Sequence, residues 1–500
     1  MMHIPSGMHL GLVADIARLR GRPSVSAHRH RQHHYRAPPS VFASVPWPRA
    51  GCGVRLTNRS SSTSYPPAFS LRCIGCLTCT APRYASKPTV PPESAFWEEP
   101  LILSPKDGPW GYYPARLGEK LCDGKYEVVG KLGWGNWSSV WLAKEYTNTG
   151  YRYVAVKILT VNATCGEAQD VLFETQVAHM LMKADEATDK RHPGYAHCAI
   201  PRRMFRAHSI HGEHWCVVYP LCASSLDDFR RAQPNARLRL AEVKVIARQA
   251  LLSLDFLHSV LNVAHTDLKL DNILVKLSVL PEDVDRYLHE HPATVYPPQV
   301  FASISPDPVV TVRTQSLVQL ALRHPPQQID ICLSDYGAAI PLDRIDGNTT
   351  IQTPLTCRAP EHLLGHPWSK AVDIWAFGCM ILEALTGYSP FDVHIRSYSA
   401  EAHLAHIFHL LGPFPADFLQ RCETSGTFLD AAGAPLHASS PAQTMSLEEW
   451  LTAFDWVCEE MSTDDVSATC RFVRRCLTID PLLRPSASKL LEDEWFHTGS

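Results

Sequence analysis

The hydrophobic pattern changes period near residue 225, and this change limits the fold more than any other feature of the sequence. From about residue 112, short runs such as YEVVGKL and YRYVAVKIL alternate apolar with polar residues and are separated by turn signals. Beyond residue 225, apolar residues recur at helical spacing, at Val243, Ile246, Ala247, Ala250, Leu251, Leu254 and Leu257. The sequence therefore predicts an α+β fold. Its N-terminal part is a five-stranded antiparallel sheet with one main helix, and its larger C-terminal part is mostly helical.

The first 95 residues differ in composition from the rest of the 500-residue chain. They hold 12 Lys/Arg against two acids, Asp15 and Glu93, which leaves 35 basic and 48 acidic residues for the remainder. Runs such as AHRHRQHHYRAPPS show no helix or strand period, so residues 1–95 are predicted to be a disordered tail rich in Arg, His, Pro and Ser. Its Arg/Ser content with few acids also resembles a mitochondrial transit peptide, although prolines interrupt any amphipathic helix early.

The remaining compositional signals favour a location inside the cell. No window approaches the roughly 18 apolar residues that span a bilayer, and the 16 cysteines are spread along a long chain, which suits free thiols. The one tight cluster, Cys73, Cys76 and Cys79, lacks a fourth ligand at matching spacing. An incidental run in a flexible tail is therefore preferred over a metal site.

The stretch LGWGNWSSV places Gly133 and Gly135 in a hairpin turn, where backbone N–H groups can approach phosphates without obstruction by side chains. Ser138 stands where a third glycine would complete a G-x-G-x-x-G pattern, and no helix follows. The dinucleotide-binding interpretation therefore fails. By itself this stretch is weak evidence, and a plain tight hairpin is the default interpretation.

Lys157 ends an apolar strand, where a buried ammonium needs an anionic partner. Glu174, at the start of a helical pattern 17 residues later, can supply it, and Glu167 is a weaker alternative. Such a pair would hold the lysine against the phosphates of a nucleotide. For Glu174 alone, a surface salt bridge is the competing interpretation.

The decapeptide HTDLKLDNIL brings three polar side chains together between aliphatic residues. In a phosphoryl-transfer loop, Asp267 would orient the substrate hydroxyl, Lys269 would neutralise charge on the transferred group, and Asn272 would hold a metal. The competing interpretation is a polar loop between a helix and a strand.

Further motifs follow in order. ICLSDYGAAI is an apolar strand that ends at Asp335, a second metal-ligand candidate. Asp373 lies in an apolar helix that is predicted to stop at Gly387. Near the C-terminus, Arg484 is the candidate partner of Glu361.

Taken in this order, these motifs resemble the eukaryotic protein kinase catalytic domain over residues 112–497. The resemblance implies a bilobal fold, with an N-lobe at about 112–222, a C-lobe at about 223–497, and ATP and Mg²⁺ as cofactors. Lys269, two places after Asp267, is the Ser/Thr kinase pattern rather than the Tyr kinase pattern.

A narrower resemblance is to the SR-protein kinases of divergent fungal type, within the group that also contains LAMMER kinases. It rests on KLGWGNWSSVWLA, HTDLKLDNIL, IQT at 351–353 and AHLAHIFHLLGPFP. Residues 277–328 form an insertion at the position where this family carries its spacer.

The resemblance also implies roles for individual residues, with Tyr219 as gatekeeper beside the adenine. The implied ATP-binding residues are Leu132, Gly133, Gly135, Val140, Ala155, Lys157, Glu174, Tyr219, Pro220 and Cys222. Asp267 and Lys269 would be catalytic, and Asn272 and Asp335 would bind metal. The residues implied to organise the activation segment and the C-lobe are Thr353, Arg358, Glu361, Asp373 and Arg484.

One position, Thr266, departs from the general kinase pattern, and two others depart from the pattern of the SR-protein kinases. Thr266 replaces the arginine that binds an activation-loop phosphate, so a constitutively competent loop is the hypothesis. One extra residue follows Thr353, which leaves its support of Asp267 and Lys269 open. His409 stands where the docking helix would carry an acid, although Glu401 is present.

The expected partner is a basic protein substrate, in particular an Arg-Ser-rich splicing factor. The alternatives are a pseudokinase scaffold and a kinase of the same group with acidic or proline-directed sites. We expect a monomer in cytoplasm and nucleus, without direct binding to nucleic acid or membrane. Import into the mitochondrion through the tail is the alternative location.

Overall fold

The computed structural model describes residue 99 and residues 111–186, 192–233, 236–298, 308–322, 329–345, 349, 351–391, 398–436 and 445–497. The predictions made for residues 1–95, including the disordered tail, its targeting role and the Cys73 cluster, lie outside the described residues. None of the helices in the described ranges combines the length and the apolar character needed to cross a bilayer.

An antiparallel sheet of six strands, in the order β1-β2-β3-β4-β6-β5, forms the N-terminal lobe. The strands are β1 (Lys120–Leu121), β2 (Tyr126–Gly135), β3 (Ser138–Thr147), β4 (Gly150–Leu159), β5 (Arg203–Ser209) and β6 (Gly212–Pro220). Five of them are the strands expected from the sequence. The sixth, β1, is an edge strand of two residues, too short to show a period of its own.

The two faces of this sheet carry different side chains, because successive side chains of a strand point to opposite faces. One face carries Trp141, Val154 and Val156 into a buried apolar cluster. The register pairs Val140 with Lys157 and Ala155 with Tyr219, which places these four side chains on the other face. Two helices follow β4: α1 (Val161–Ala168) and α2 (Glu174–Glu186).

The C-terminal lobe is built around two buried helices, α4 (Leu240–Asp255) and α8 (Ala371–Thr386). The apolar face predicted from residue 243 onward is buried in α4. Helix α8 is buried on nearly all sides and ends at Gly387, whose φ of 81° suits a residue without Cβ. The other helices of this lobe are α3 (Leu226–Arg231), α7 (Pro360–Leu363), α9 (Ala400–Leu411), α10 (Ala416–Leu419), α11 (Ser425–Phe428), α12 (Leu447–Thr452), α13 (Asp455–Glu460), α14 (Thr463–Cys476) and α15 (Ala487–Leu490).

Two small sheets position the polar motifs, and their buried apolar residues belong to the core of the C-terminal lobe. Strand β9 (Ile273–Lys276) pairs with β7 (Cys222–Ser225) on one side and with β10 (Ile331–Leu333) on the other. Strand β8 (Val263–Ala264) pairs with β11 (Ile340–Pro341). The loop HTDLKLDN therefore runs from β8 to β9, and Asp335 follows β10 directly.

The insertion between β9 and β10 contains α5 (Pro281–Glu290) and α6 (Val318–Ala321). It packs on the N-terminal lobe, where Asp285 accepts hydrogen bonds from Tyr153, at 2.7 Å, and from Tyr151. Lys144 forms an ion pair with the same carboxylate at 3.1 Å. The insertion thus connects strands β3 and β4 to strand β9, which directly follows the loop HTDLKLDN.

Candidate active site

Lys157 is the charged centre of the candidate site, which lies where the open face of β4 meets Asp335 of the C-terminal lobe and is called the cleft below. Its side chain is 9% exposed, and its Nζ lies 2.5 Å from Glu174 Oε1 and 2.7 Å from Asp335 Oδ1. Glu167, the weaker alternative partner, instead accepts the backbone N–H of Glu174 at 2.6 Å, at the start of α2. The structure therefore pairs the lysine with Glu174, as proposed from the sequence.

These three groups shift one another's proton affinities. Burial would lower the pKa of Lys157, but the carboxylates of Asp335 and Glu174 outweigh it and raise that pKa above its ordinary value. Burial would raise the pKa of Asp335, but the Lys157 ammonium lowers it to about 2. Burial raises the pKa of Glu174 to about 7, with Lys157 acting against the rise. Asp335 is therefore ionised at neutral pH and suited to bind a cation.

The catalytic loop holds the second group of charges. Lys269 Nζ donates to Asp267 Oδ2 at 2.7 Å, and Asn272 Nδ2 donates to the same oxygen at 2.8 Å. Asn272 also bonds the backbone carbonyl of Asp267 at 2.7 Å. Burial would lower the pKa of Lys269, but Asp267 raises it. The three residues predicted to act together are in direct contact.

The buried carboxylate of Asp373 holds the start of this loop by hydrogen bonds to its backbone. It accepts the backbone N–H of His265 at 2.8 Å and that of Thr266 at 2.7 Å. Thr266 has a φ of 63°, an uncommon conformation for a β-branched residue, which these bonds support. Its hydroxyl donates to Ala338 O at 2.7 Å, so the loop is tied to the turn that follows Asp335.

Five of the predicted nucleotide residues line the N-terminal side of the cleft. Val140 lies opposite both Gly133 and Lys157 in the register, and Ala155 is the next residue on that face of β4. Leu132 lies at a register shift of β2 and is half-buried. A Cβ built on Gly133 or Gly135 would meet nothing within 4 Å. The two glycines therefore leave open space above the cleft.

The segment that joins the lobes carries the other three nucleotide candidates. Tyr219 and Pro220 end β6, and the buried hydroxyl of Tyr219 has no hydrogen-bond partner among the described residues. Cys222 begins β7, and its Sγ lies 3.7 Å from that of Cys332. Both thiols are free. The Cys222 side chain thus packs against β10.

The activation-segment candidates are organised by contacts other than those with Asp267. Thr353 Oγ1 is 3.1 Å from His362 Nδ1, and this is its described hydrogen bond. The Arg358 guanidinium lies over the Tyr398 ring, 5.3 Å from its centroid. The described hydrogen bond of Thr353 is thus with His362 of α7, and not with Asp267 or Lys269.

Sequence reasoning missed two histidines that help to build the loop. His258 Nε2 lies 2.8 Å from Asp373 Oδ2, and His265 Nε2 lies 3.0 Å from Ser334 O. His265 stands directly before Thr266 in the sequence, so its position was a usable signal. His258 follows α4 and is separated from Asp373 by 115 residues, a distance in sequence that no local pattern reveals.

The residues present fit a nucleoside triphosphate with a divalent cation. The Asp335 carboxylate and the Asn272 amide oxygen are the donors that a hard cation prefers, while Lys157 and the open glycine turn suit phosphates. The described residues contain no cluster of three or more His, Cys, Asp or Glu side chains that could hold a metal. An amide-and-carboxylate pair of this kind suits a cation that is also held by phosphates.

The chain belongs to the protein kinase family. Its sequence matches the protein kinase domain model over residues 126–280 and 320–496, and the break between the two stretches falls inside the insertion. Within this family, its relatives include serine/threonine protein kinases of the SRPK type and dual specificity kinases of the CLK type.

Three relatives illustrate the degree of similarity. The chain is 29% identical to the serine/threonine-protein kinase SRPK of Physarum polycephalum, over 65% of this chain and 75% of that protein. It is 30% identical to a serine/threonine protein kinase of Aspergillus fumigatus, over 77% of this chain and 87% of that protein. It is 28% identical to the dual specificity protein kinase CLK1 of Homo sapiens, over 64% of this chain and 55% of that protein.

Proposed function

We propose that this kinase transfers the γ-phosphoryl group of ATP, with Mg²⁺, to serine or threonine hydroxyls of basic, Arg-Ser-rich proteins, including mRNA splicing factors. The observation that carries the catalytic part is the contact of Lys157 with both Glu174 and Asp335. It assembles the cation and the carboxylate that a triphosphate and its metal need, before either is bound.

Each residue has a defined task in this proposal. The Asp267 carboxylate accepts the hydrogen bond of the substrate hydroxyl and orients its oxygen toward the transferred group. The Lys269 ammonium, which contacts Asp267, stabilises the negative charge that spreads over the phosphoryl oxygens during transfer. Asn272 and Asp335 would hold Mg²⁺, and the ion would supply positive charge to the phosphates. Lys157 holds the remaining phosphates while Glu174 keeps its ammonium in place.

The substrate class rests on weaker support than the chemistry. The chain beyond residue 95 carries 13 more acidic than basic residues, which favours encounter with a basic protein. A relative named SRPK points the same way. However, α9 presents His409 half-buried, with its carbonyl bonded to Met445 N, where an acid was expected. A kinase of the same group with acidic or proline-directed sites is therefore the alternative.

A degenerate serine/threonine peptide library with radiolabelled ATP tests the proposal. Preference for arginine beside the acceptor serine supports the Arg-Ser substrate class, and preference for acidic or proline-flanked sites supports the alternative. Absence of transfer to every peptide by folded protein overturns catalysis and favours a pseudokinase scaffold. The Asp267→Asn variant is the control for contaminating kinases.

The cellular setting is part of the same proposal. A splicing-factor kinase needs access to cytoplasm and nucleus, and the basic N-terminal tail offers mitochondrial import as the alternative. Imaging the full chain fused at its C-terminus to a fluorescent protein distinguishes the two. Light scattering on a size-exclusion column tests the expected monomer.

A further inference from the structure

Two adjacent tyrosines at the start of the kinase domain have different partners. Both are buried, with Tyr112 5% and Tyr113 8% exposed. The Tyr112 hydroxyl donates to the backbone carbonyl of Gly135 at 2.6 Å. The Tyr113 hydroxyl donates to the carboxylate of Glu119, also at 2.6 Å. Of these two tyrosines, Tyr112 bonds the glycine-rich turn and Tyr113 does not.

The turn that Tyr112 contacts is not held by side-chain packing at its glycines. Gly135 is the last residue of β2, is exposed, and pairs with Ser138 across a two-residue turn. A Cβ on Gly135 would meet nothing within 4 Å, so side-chain packing does not hold the turn there. A glycine turn of this kind loses much conformational freedom when it closes on a ligand.

Contacts from outside the cleft restrain this turn at two points. Thr160 N donates to Trp137 O at 2.8 Å, and Tyr112 holds the Gly135 carbonyl. The Tyr112 segment is itself attached to the lobe, because Val161 N donates to Gly111 O at 3.0 Å. Burial raises the pKa of Tyr112 to about 12, so its hydroxyl remains a donor throughout the working pH range.

We propose that Tyr112 is a positioning residue for nucleotide binding: its hydroxyl holds the Gly133–Gly135 turn over the cleft, so that bound phosphates need not order it. This inference rests on the proposed nucleotide site. A pre-ordered loop binds more tightly because part of the entropy cost is met during folding. Tyr112 lies beside Ser139 and Trp141, on the face of the sheet opposite Lys157, and it acts through the Gly135 backbone without touching the nucleotide.

The test compares Tyr112→Phe with Tyr113→Phe, since each removes one buried hydroxyl and keeps the ring. Tyr112→Phe should raise the KM for ATP about fivefold, the effect of one lost hydrogen bond, and leave kcat within about twofold. Tyr113→Phe should leave the KM for ATP unchanged. Thermal unfolding of both variants measures the purely structural cost, which should be similar because each loses one hydrogen bond.

A second measurement needs no activity. Amide hydrogen exchange of the nucleotide-free protein should be faster across residues 133–139 in Tyr112→Phe and unchanged there in Tyr113→Phe. Equal KM values and equal exchange in the wild type and Tyr112→Phe overturn the inference, as does an equal rise of KM in both variants. Failure of the wild type to bind ATP overturns the proposed function as well, which distinguishes the two failures.

Discussion

Glu361 and Arg484 form a bidentate ion pair that is completely buried, with distances of 2.8 Å and 3.0 Å and both side chains 0% exposed. Arg484 also donates to the carbonyl of Ala371 at 2.7 Å. The pair therefore ties α7 to the segment after α14 and to the start of α8. Its two members are 123 residues apart in sequence.

Loss of one partner of this pair should destabilise the protein strongly. Glu361→Gln leaves the Arg484 guanidinium buried without a counter-charge, which costs about 3–5 kcal/mol of unfolding free energy. Urea denaturation followed by circular dichroism measures it. Glu448→Gln is the control, because the Glu448–Arg474 pair is exposed and should contribute less than about 1 kcal/mol. Similar losses in both variants would contradict the argument.

Asp267→Asn should stop phosphoryl transfer while the protein still folds and binds nucleotide. The amide cannot take up the hydroxyl proton as a carboxylate does, so kcat should fall by about 10²–10⁴-fold. Lys157, Glu174 and Asp335 are left in place, and the ATP dissociation constant should stay within about threefold. Rapid-quench kinetics and calorimetric titration measure the two quantities. A fall in kcat of less than tenfold would remove Asp267 from its assigned role.

Asp335→Asn should make transfer depend on much higher Mg²⁺ concentrations. The substitution keeps the shape of the side chain and removes a charge that is ionised at neutral pH, since the Lys157 ammonium lowers the pKa of Asp335 to about 2. The half-saturating Mg²⁺ concentration should rise roughly tenfold or more. Activity measured across a magnesium titration after EDTA treatment gives this value. An unchanged titration curve would exclude Asp335 as a ligand.

Phosphatase treatment should leave the activity within about twofold of its starting value. Thr266 has no charge with which to bind an activation-loop phosphate, and it is held by Asp373 and by the carbonyl of Ala338. The loop is thus restrained by neutral hydrogen bonds and one buried carboxylate. Phosphate content by mass spectrometry and activity should be recorded on the same sample. A large loss of activity on dephosphorylation would show that the loop needs a phosphate after all.

Stability should fall as the pH is lowered from about 6.5 to about 4, in part because of His214. Burial lowers the pKa of this fully buried histidine to about 4 from an ordinary value near 6.5. Between those values the unfolded chain binds a proton that the folded chain excludes, so unfolding free energy rises with pH in this window. The loss of unfolding free energy from this histidine reaches on the order of 3 kcal/mol by about pH 4, and it is absent above about pH 6.5.

Urea denaturation at a series of pH values measures this effect. His214→Gln should flatten the dependence between pH 4.5 and 6.5, because it removes the titrating ring. His208→Gln, on the neighbouring strand β5, has a side chain that is 75% exposed and should leave the slope unchanged. Equal slopes in the wild type and His214→Gln would rule out the assigned contribution.

The parts of the fold that depend on neighbouring residues could be predicted from the sequence. Alternation identified β2 to β6 and helical spacing identified α4, because burial of one face repeats with the period of the element. Helix α8 was identified by its long apolar run, which stops at Gly387. The contacts within HTDLKLDNIL are of the same kind, since Asp267 is only two residues from Lys269 and five from Asn272. Short polar loops of this type carry their chemistry within a single turn of chain.

Tertiary structure alone decided the contacts between distant parts of the chain. It brings Asp335 to Lys157 across 178 residues, and it turns Thr353 toward His362. It also brings Tyr112 to the carbonyl of Gly135, a hydrogen bond that the periodicity of the sequence does not predict. The sequence by itself determined which chemical groups are available and in what order. Their partners were decided by packing, because a side chain bonds the group that the folded backbone places within reach, whatever their separation in sequence.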